Sequence, residues 1–354
     1  MNRAFIYIFK HYIKSFLILL IGLVSIISLI DFLQHFNSIV GINRALLYIY
    51  YSFNNSINIL YPLVLVFAAI VTLSSLLFKN HLLILQSFGY SKKFILKPFL
   101  FTSIMVYLLF IALNFTPFAY SGDRAEAILN NSDNIFKPVD NLFFKYNNYF
   151  VFAKEMDVVN KEFKNLKLYY IKNGKIDYIM EIKRAKFKDK YWLANDILKK
   201  SFIYKDGIPR GYTTQKIKEE KILKGYYPKV VRLLYEGKRM NILDGIKAKK
   251  LLNEQNIDDS KIVSTLLERI IMPLFAPLLI TIIVILIPIH KRYLNRAKFY
   301  FLSIGSTLVI WSILYSINMI SSNGVISPYL GEPIAIFILF IITILIFLKK
   351  DNRI

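Results

Sequence analysis

Residues 99–118, FLFTSIMVYLLFIALNFTPF, and residues 270–289, IIMPLFAPLLITIIVILIPI, are apolar runs of twenty that bracket about 150 mostly polar residues. An α-helix rising ~1.5 Å per residue needs about twenty apolar residues to cross a ~30 Å hydrocarbon core, so each run predicts a membrane span. Working outward, Phe16 to Leu33 and Ile57 to Phe78 precede the first run, and Phe299 to Ile320 and Ile334 to Leu348 follow the second. The last is shorter but ends on a basic stop, Lys349-Lys350. Six runs, split three and three around one insert, predict a polytopic membrane protein with one sizeable water-exposed domain.

Charge predicts the orientation. The segments Met1 to Ser15, Lys79 to Lys97, His290 to Lys298 and Lys349 to Ile354 hold 14 Lys or Arg against one acid, Asp351. The short loops on the other side hold only Arg44 and Glu332. By the positive-inside rule both termini are expected in the cytoplasm and the insert Ala119 to Arg269 outside it. That insert carries 31 basic and 20 acidic residues, a net charge of +11. The excess suits an anionic ligand, and it equally suits the Lys-, Asn- and Ile-rich bias of the whole chain. Met1 to Leu33 resembles a signal peptide, but its apolar run is long and no small-x-small cleavage site follows, so it reads as a retained first span.

The insert reads as antiparallel β-structure. Leu166, Leu168 and Tyr170 alternate with Lys167, Tyr169 and Ile171, Asn173-Gly174 supplies a hairpin turn, and Ile176, Tyr178, Met180 and Ile182 alternate again. Asn141 to Ala153, Ala185 to Ala194 and Ser201 to Tyr204 predict further strands, with breaks at Asn147-Asn148, Asp189-Lys190 and Asp206-Gly207. A curved sheet, sandwich or jelly roll is expected. Its apolar residues would line an acyl-chain groove if the sheet is open and form an ordinary core if it is closed. Met240 to Asn253 predicts an amphipathic helix. The expected fold class is thus a membrane α-helical protein, 3+3, with an inserted extracytoplasmic all-β, jelly-roll-like domain. Its expected divisions are 1–118, 119–257 and 258–354.

Between spans two and three, FKNHLLILQSFGYSKKFILKP predicts a short helix capped by Asn80 and stopped by a left-handed Gly89. Leu82, Leu85 and Phe88 recur on one face, which either lies at the lipid interface or docks a cytoplasmic partner.

Catalytic chemistry is not evident. There is no phosphate-binding G-x-x-x-x-G-K-[ST] loop, no G-x-S-x-G and no cysteine. Disulfide and thiolate chemistry are therefore excluded. His11, His35, His81 and His290 lack metal-ligand spacing. Asp31 is the one ionisable residue within the runs, either a snorkelling or capping carboxylate near the outer interface or a possible gate. The absence of midplane charges argues against an ion-coupled carrier. Arg44, Arg124 and Arg269 stand nearest the outer ends of the spans and are candidates for an anionic lipid head group, or are interfacial anchors. Pro62, Pro273, Pro277 and Pro288 predict kinks.

Several segments carry a family likeness: RAFIYIFKHYIKSFLILL, SLIDFLQHF, YPLVLVFAAIVTLSSL, HLLILQSFGYSKKFILKPF, MNILDGIKAKKLLNEQNID, LLERIIMPLFAPLL and the late PYLGEP turn. Over nearly its whole length the chain resembles the LptF/LptG (YjgP/YjgQ) lipopolysaccharide-export permeases, with SLIDFLQHF and MNILDGIKAKKLLNEQNID leaning to LptG.

The resemblance implies a bacterial inner-membrane subunit that pairs with a paralogous permease as an LptF/LptG heterodimer. It implies a dimeric cytoplasmic ATPase partner that uses ATP and Mg, no cofactor in this chain, and a periplasmic jelly-roll bridge that receives the lipopolysaccharide. No nucleic-acid role is implied. It also implies that His81, Leu82, Leu85, Gln86, Phe88 and Gly89 belong to the ATPase-coupling helix, with His81 standing where the family usually has Glu. Rival readings are a permease for another lipid or lipoprotein, and a non-transporting structural or sensor protein anchored in the membrane.

Overall fold

Hydrocarbon offers the backbone no hydrogen-bond partners, so an apolar run of spanning length satisfies its own amides as a helix. The computed structural model describes residues 3–130, 139–158, 160–172, 174–205, 208–228, 240–254 and 258–351. Within them, six helical stretches are long and apolar enough to cross a membrane. The chain opens with α1 (Arg3–His35), α2 (Ile42–Phe78), α3 (His81–Ser87), α4 (Lys92–Asn114) and α5 (Ser121–Leu129). Six strands follow: β1 (Val139–Tyr146), β2 (Tyr149–Asp157), β3 (Glu162–Lys172), β4 (Lys175–Lys188), β5 (Tyr191–Lys205) and β6 (Ile208–Ile222). Then come α6 (Ile242–Glu254), α7 (Ser260–Ile270), α8 (Phe275–Leu286), α9 (Arg296–Ser322) and α10 (Pro328–Asp351). The chain divides into two compact units, Met1–Ala125 with Val263–Ile354, and Glu126–Ile262. The helical membrane unit with an inserted all-β domain is the expected fold class.

In the helical unit α2 is central. Val64, Val66, Ala68, Ala69, Ile70 and Leu73 are essentially inaccessible, whereas α1, α9 and α10 expose many leucines and isoleucines. Tyr61 of α2 stacks on Phe110 of α4, centroids 4.0 Å apart and planes 5° apart. The Tyr12 hydroxyl on α1 satisfies itself on the Leu65 carbonyl of α2 at 3.0 Å.

The fourth span is broken by its prolines. After α7 a 3-10 turn, Met272–Leu274, carries Pro273, which has no N–H to continue the ladder, and α8 restarts at Phe275. At the far end Ile287 turns extended, ψ 133°, because it precedes Pro288. The helix therefore stops at Leu286, short of the run's end at Ile289.

The β unit is one six-stranded antiparallel sheet whose spatial order is its sequence order. Its tight turns use Asn147 (φ 49°), Gly174 (φ 73°) and Asp189 (φ 56°), residue types that tolerate the left-handed backbone a two-residue hairpin needs. Asn173, Asp206 and Gly207 lie outside the described residues. β6, IPRGYTTQKIKEEKI, departs from expectation: Pro209, Gly211 and many charges conceal a strand that pairs with β5 and, among the described residues, has no partner on its other edge.

One face of the sheet buries Leu142, Val151, Ala153, Leu166, Met180, Ala194 and Trp192. The segment after β6 crosses this face. Trp192 Nε1 donates to the Tyr226 carbonyl at 2.6 Å, the Tyr226 hydroxyl to the Lys145 carbonyl of β1 at 3.0 Å, and Lys224 N to the Tyr146 hydroxyl at 3.2 Å. The strap thereby runs across the face from the end of β6 to the Asn147-turn end of β1. Trp192 is fully buried against Phe163, centroids 4.1 Å apart. Trp192→Ala is expected to cost about 3–5 kcal/mol. Hydrogen exchange of the intact chain should then show faster exchange in β3 to β5, with the helical unit unchanged.

Candidate functional site

The link between α2 and α4 builds the first candidate. Asn80 takes a left-handed conformation, φ 61°, without a side-chain cap, which differs from the capping role expected of it. Gly89 supplies the left-handed stop, φ 80°, and Tyr90 N closes back on the Leu85 carbonyl at 3.1 Å. Leu82 and Leu85 are buried in the same apolar cluster as Leu73, Ile95, Val284 and Ile287. They hold α3 to its own spans rather than forming one outward face with Phe88. Phe88 is 76% exposed and Ile84 48%, and Gln86 is also exposed, so the free face is Leu83, Ile84 and Phe88.

Two polar ties fix this helix further. The Tyr7 hydroxyl on α1 lies 2.7 Å from His81 Nδ1. Lys92, at the start of α4, donates Nζ to the Ile285 and Ile287 carbonyls at 3.1 and 2.6 Å, satisfying the C-terminal end of α8 where Pro288 halts the ladder. α3 thus packs on the cluster that Ile95 of α4 and Val284 of α8 share, and meets α1 through His81.

At the opposite end of α1, Asp31 Oδ2 accepts from the Tyr48 hydroxyl at 2.8 Å and from Ser52 Oγ at 2.6 Å, with His35 Nδ1 3.5 Å from Oδ1. Asp31 therefore knots α1 to α2. The three candidate arginines follow α2 in heptad steps. Arg44 stands in its first turns and has interactions of its own. Arg124 of α5 lies over Tyr51, 5.3 Å from the ring centroid, with Nη1 3.4 Å from its hydroxyl. Arg269 of α7 donates Nη1 to Asn114 Oδ1 of α4 at 2.6 Å, and Asn114 Nδ2 donates to Asn58 Oδ1 of α2 at 2.8 Å. Positions 44, 51 and 58 share a face, but two seven-residue steps separate the first from the last by about 20 Å. A single phosphate therefore cannot meet all three guanidinium groups.

Inside the β unit a cavity of about 240 Å³ opens over Leu168, Met180, Ile222 and Leu223, with Tyr146, Tyr149, Glu220 and Lys221 at its margin. The sheet is covered where Trp192, Phe163 and Tyr226 pack, and bare where Thr213 and Gln215 of β6 are exposed. A tyrosine cluster borders this surface: the Tyr149 and Tyr178 hydroxyls are 2.6 Å apart, Tyr170 stacks on Tyr178, and Lys199 Nζ sits 4.0 Å from the Tyr178 ring centroid. Burial, then the Tyr149 hydrogen bond, pushes the Tyr178 phenol above its ordinary range, so it stays neutral. The surface can take apolar chains below and polar groups at the rim.

Sequence reasoning missed Tyr7, Lys92, Asn58, Asn114, Asn318 and Glu332. The available signal was a polar residue inside or beside an apolar run, which must find a partner. Among the described residues no group of three or more His, Cys, Asp or Glu is close enough to hold a metal ion together. Leu85→Asp should lose the about 2–5 kcal/mol of a buried leucine and bury an acid besides, lowering the thermal midpoint of the purified chain. Phe88→Asp should change the stability by no more than about 0.5 kcal/mol and leave that midpoint close to the parent's.

No curated protein matches the chain significantly. The profile of the family described as lipopolysaccharide export system permease LptF/LptG matches residues 6–350. That match takes in all six apolar helices and the inserted sheet together, and so this chain, a multi-pass membrane protein, belongs to the LptF/LptG permease family.

Proposed function

We propose that this permease subunit extracts lipopolysaccharide from the outer leaflet of a bacterial inner membrane and passes it over the open face of its β unit to a periplasmic bridge protein. A separate, dimeric cytoplasmic ATPase supplies the work, holding the ATP and Mg, and a paralogous permease completes the lipid cavity as in an LptF/LptG heterodimer. The observation that carries this reading is the construction of α3. Its inner side, Leu82 and Leu85, is welded to the span core while Phe88 stands exposed on the other. A helix so built serves as a lever, with Ile84, Gln86, Phe88 and the Gly89 stop meeting the ATPase and His81 tied through Tyr7 to α1.

Both termini and α3 lie in the cytoplasm on this reading, and the β unit lies in the periplasm, in keeping with the 14 basic residues of the two terminal segments and the two short links on that side. Arg44 and Arg124 contact anionic groups of the lipid at separate points. Arg269, bonded to Asn114, positions α7 against α4 and α2. Asp31 fastens the α1–α2 hairpin beside the lipid cavity, and a gate there would act by releasing Tyr48 and Ser52.

Phe88→Asp tests the lever, because loss of an aromatic anchor from a docking groove is worth about tenfold or more in affinity. The ATPase should fail to co-purify while the thermal midpoint holds; undiminished co-purification returns α3 to a lipid-facing role. Single cysteines at Asn160 and Lys291, both exposed, test orientation in a chain without cysteine. In cells with a permeabilised outer membrane an impermeant thiol reagent should modify position 160 only. Modification of 291 instead inverts the topology.

A further inference from the structure

Three side-chain oxygens of the helical unit, Ser264 Oγ on α7, Ser321 Oγ on α9 and Glu332 Oε2 on α10, are buried without a hydrogen-bond partner among the described residues. All three residues are 1% exposed. One amide gathers them. Asn318 of α9 donates Nδ2 to the Ser264 carbonyl at 2.9 Å and also to Glu332 Oε1. Ser321 follows Asn318 by three positions and shares its helix face. Gly331, just before Glu332, lets the Ser321 hydroxyl reach the α10 backbone, since a Cβ at that position would collide with Ser321 Oγ. Asn318 thus holds α9 against α7 and α10, with Ser264, Ser321 and Glu332 around it.

A buried carboxylate oxygen with no donor costs several kcal/mol, more than a fold of marginal stability leaves uncompensated. The Asn318 amide already serves Oε1, and neither serine hydroxyl donates to Oε2. What the cluster lacks is positive charge. From α7 the charged neighbour is Glu268, which acts on Glu332 as a like charge, while Arg269 directs Nη1 to Asn114. Between Phe299 and Ser322, α9 contains no Asp, Glu, Lys, Arg or His. The remaining span neighbours, Phe275 to Leu286, are uncharged too.

We propose that Glu332, Ser264 and Ser321 form a binding site for one small monovalent cation, H⁺ or Na⁺, that clips α7, α9 and α10 together. Oxygen-only ligands suit a hard cation, and a single carboxylate balances one positive charge rather than two. As H⁺, the ion joins Oε2 and cancels its charge. As Na⁺, it is shared by the carboxylate and both hydroxyls. Glu332 stands four residues into α10, about 6 Å from the helix start, so the site is a fastening near one end of the bundle and not a conduction path.

Dicyclohexylcarbodiimide couples to protonated carboxyl groups in apolar surroundings and reads the occupant directly. On the full-length protein in detergent, peptide mass spectrometry should find Glu332 modified at acid pH and progressively less so as pH rises. Exchange of choline chloride for sodium chloride at constant ionic strength separates the two ions: protection of Glu332 identifies Na⁺, and no protection identifies H⁺. Glu332→Gln, which keeps an acceptor for Asn318, should lose the matching pH- or sodium-dependent part of the thermal midpoint. Should that variant not fold, Ser321→Ala keeps the carboxylate and removes one ligand. It should shift the labelling midpoint by about one pH unit or about tenfold in sodium. The proposal is overturned if Glu332 is unmodified at every pH and the midpoints of parent and variant respond to pH and sodium alike, the result expected of oxygens satisfied by water.

Discussion

A polar side chain inside hydrocarbon must find its partner within the protein, and this requirement organises the helical unit. Apolar contact alone does little to tell one helix from another in lipid, because lipid tails are as apolar as leucine. The polar ties do the selecting. Ser15 meets Thr72, Asp31 meets Tyr48 and Ser52, and both pairs align α1 with α2. Asn58, Asn114 and Arg269 join α2, α4 and α7. Lys92 seats α4 on the end of α8, and Asn318 joins α9 to α7 and α10. Each tie costs little where a partner is present and several kcal/mol where it is removed.

The consequence is a unit in which few helices can move alone. α3 is short, yet Leu82, Leu85 and the His81–Tyr7 contact attach it to α1 and the core, and Lys92 follows it within five residues. The β unit is organised by the other solvent. In water, alternation with period two suffices to define a buried face, and turn residues set the register. Its strap, centred on Tyr226, covers Trp192 and reaches the end of β1 while much of β6 stays exposed, so a single sheet combines a buried core with an exposed surface.

Much of this architecture is legible in the amino-acid sequence. The six spans follow from run length, and the β3–β4 hairpin from the alternation of Leu166, Leu168, Met180 and Ile182, all of them buried. β6 is not legible, because an edge strand with one free side tolerates Pro209, Gly211 and a run of charges that a central strand excludes. The division of α3 into a buried and an exposed side is half legible. Leu82 and Leu85 share a face by spacing, but only the packing of α4 and α8 shows that this face points inward. The Asn58–Asn114–Arg269 chain and the Asn318–Glu332 contact join residues 56 and 14 positions apart or more, and no local pattern encodes such pairings. Glu332 hides in the sequence because α10 begins at Pro328, six residues before its apolar run.

The central claim, that this chain moves lipopolysaccharide across its β unit at the expense of ATP, is tested most directly by a photocrosslinker at Met180, on the floor of the β cavity. The assembled permease pair and ATPase would be placed in vesicles containing lipopolysaccharide and illuminated with or without ATP. The account predicts a lipopolysaccharide adduct at position 180 that accumulates only with hydrolysable ATP. An adduct formed equally without ATP, or none under any condition, would contradict it.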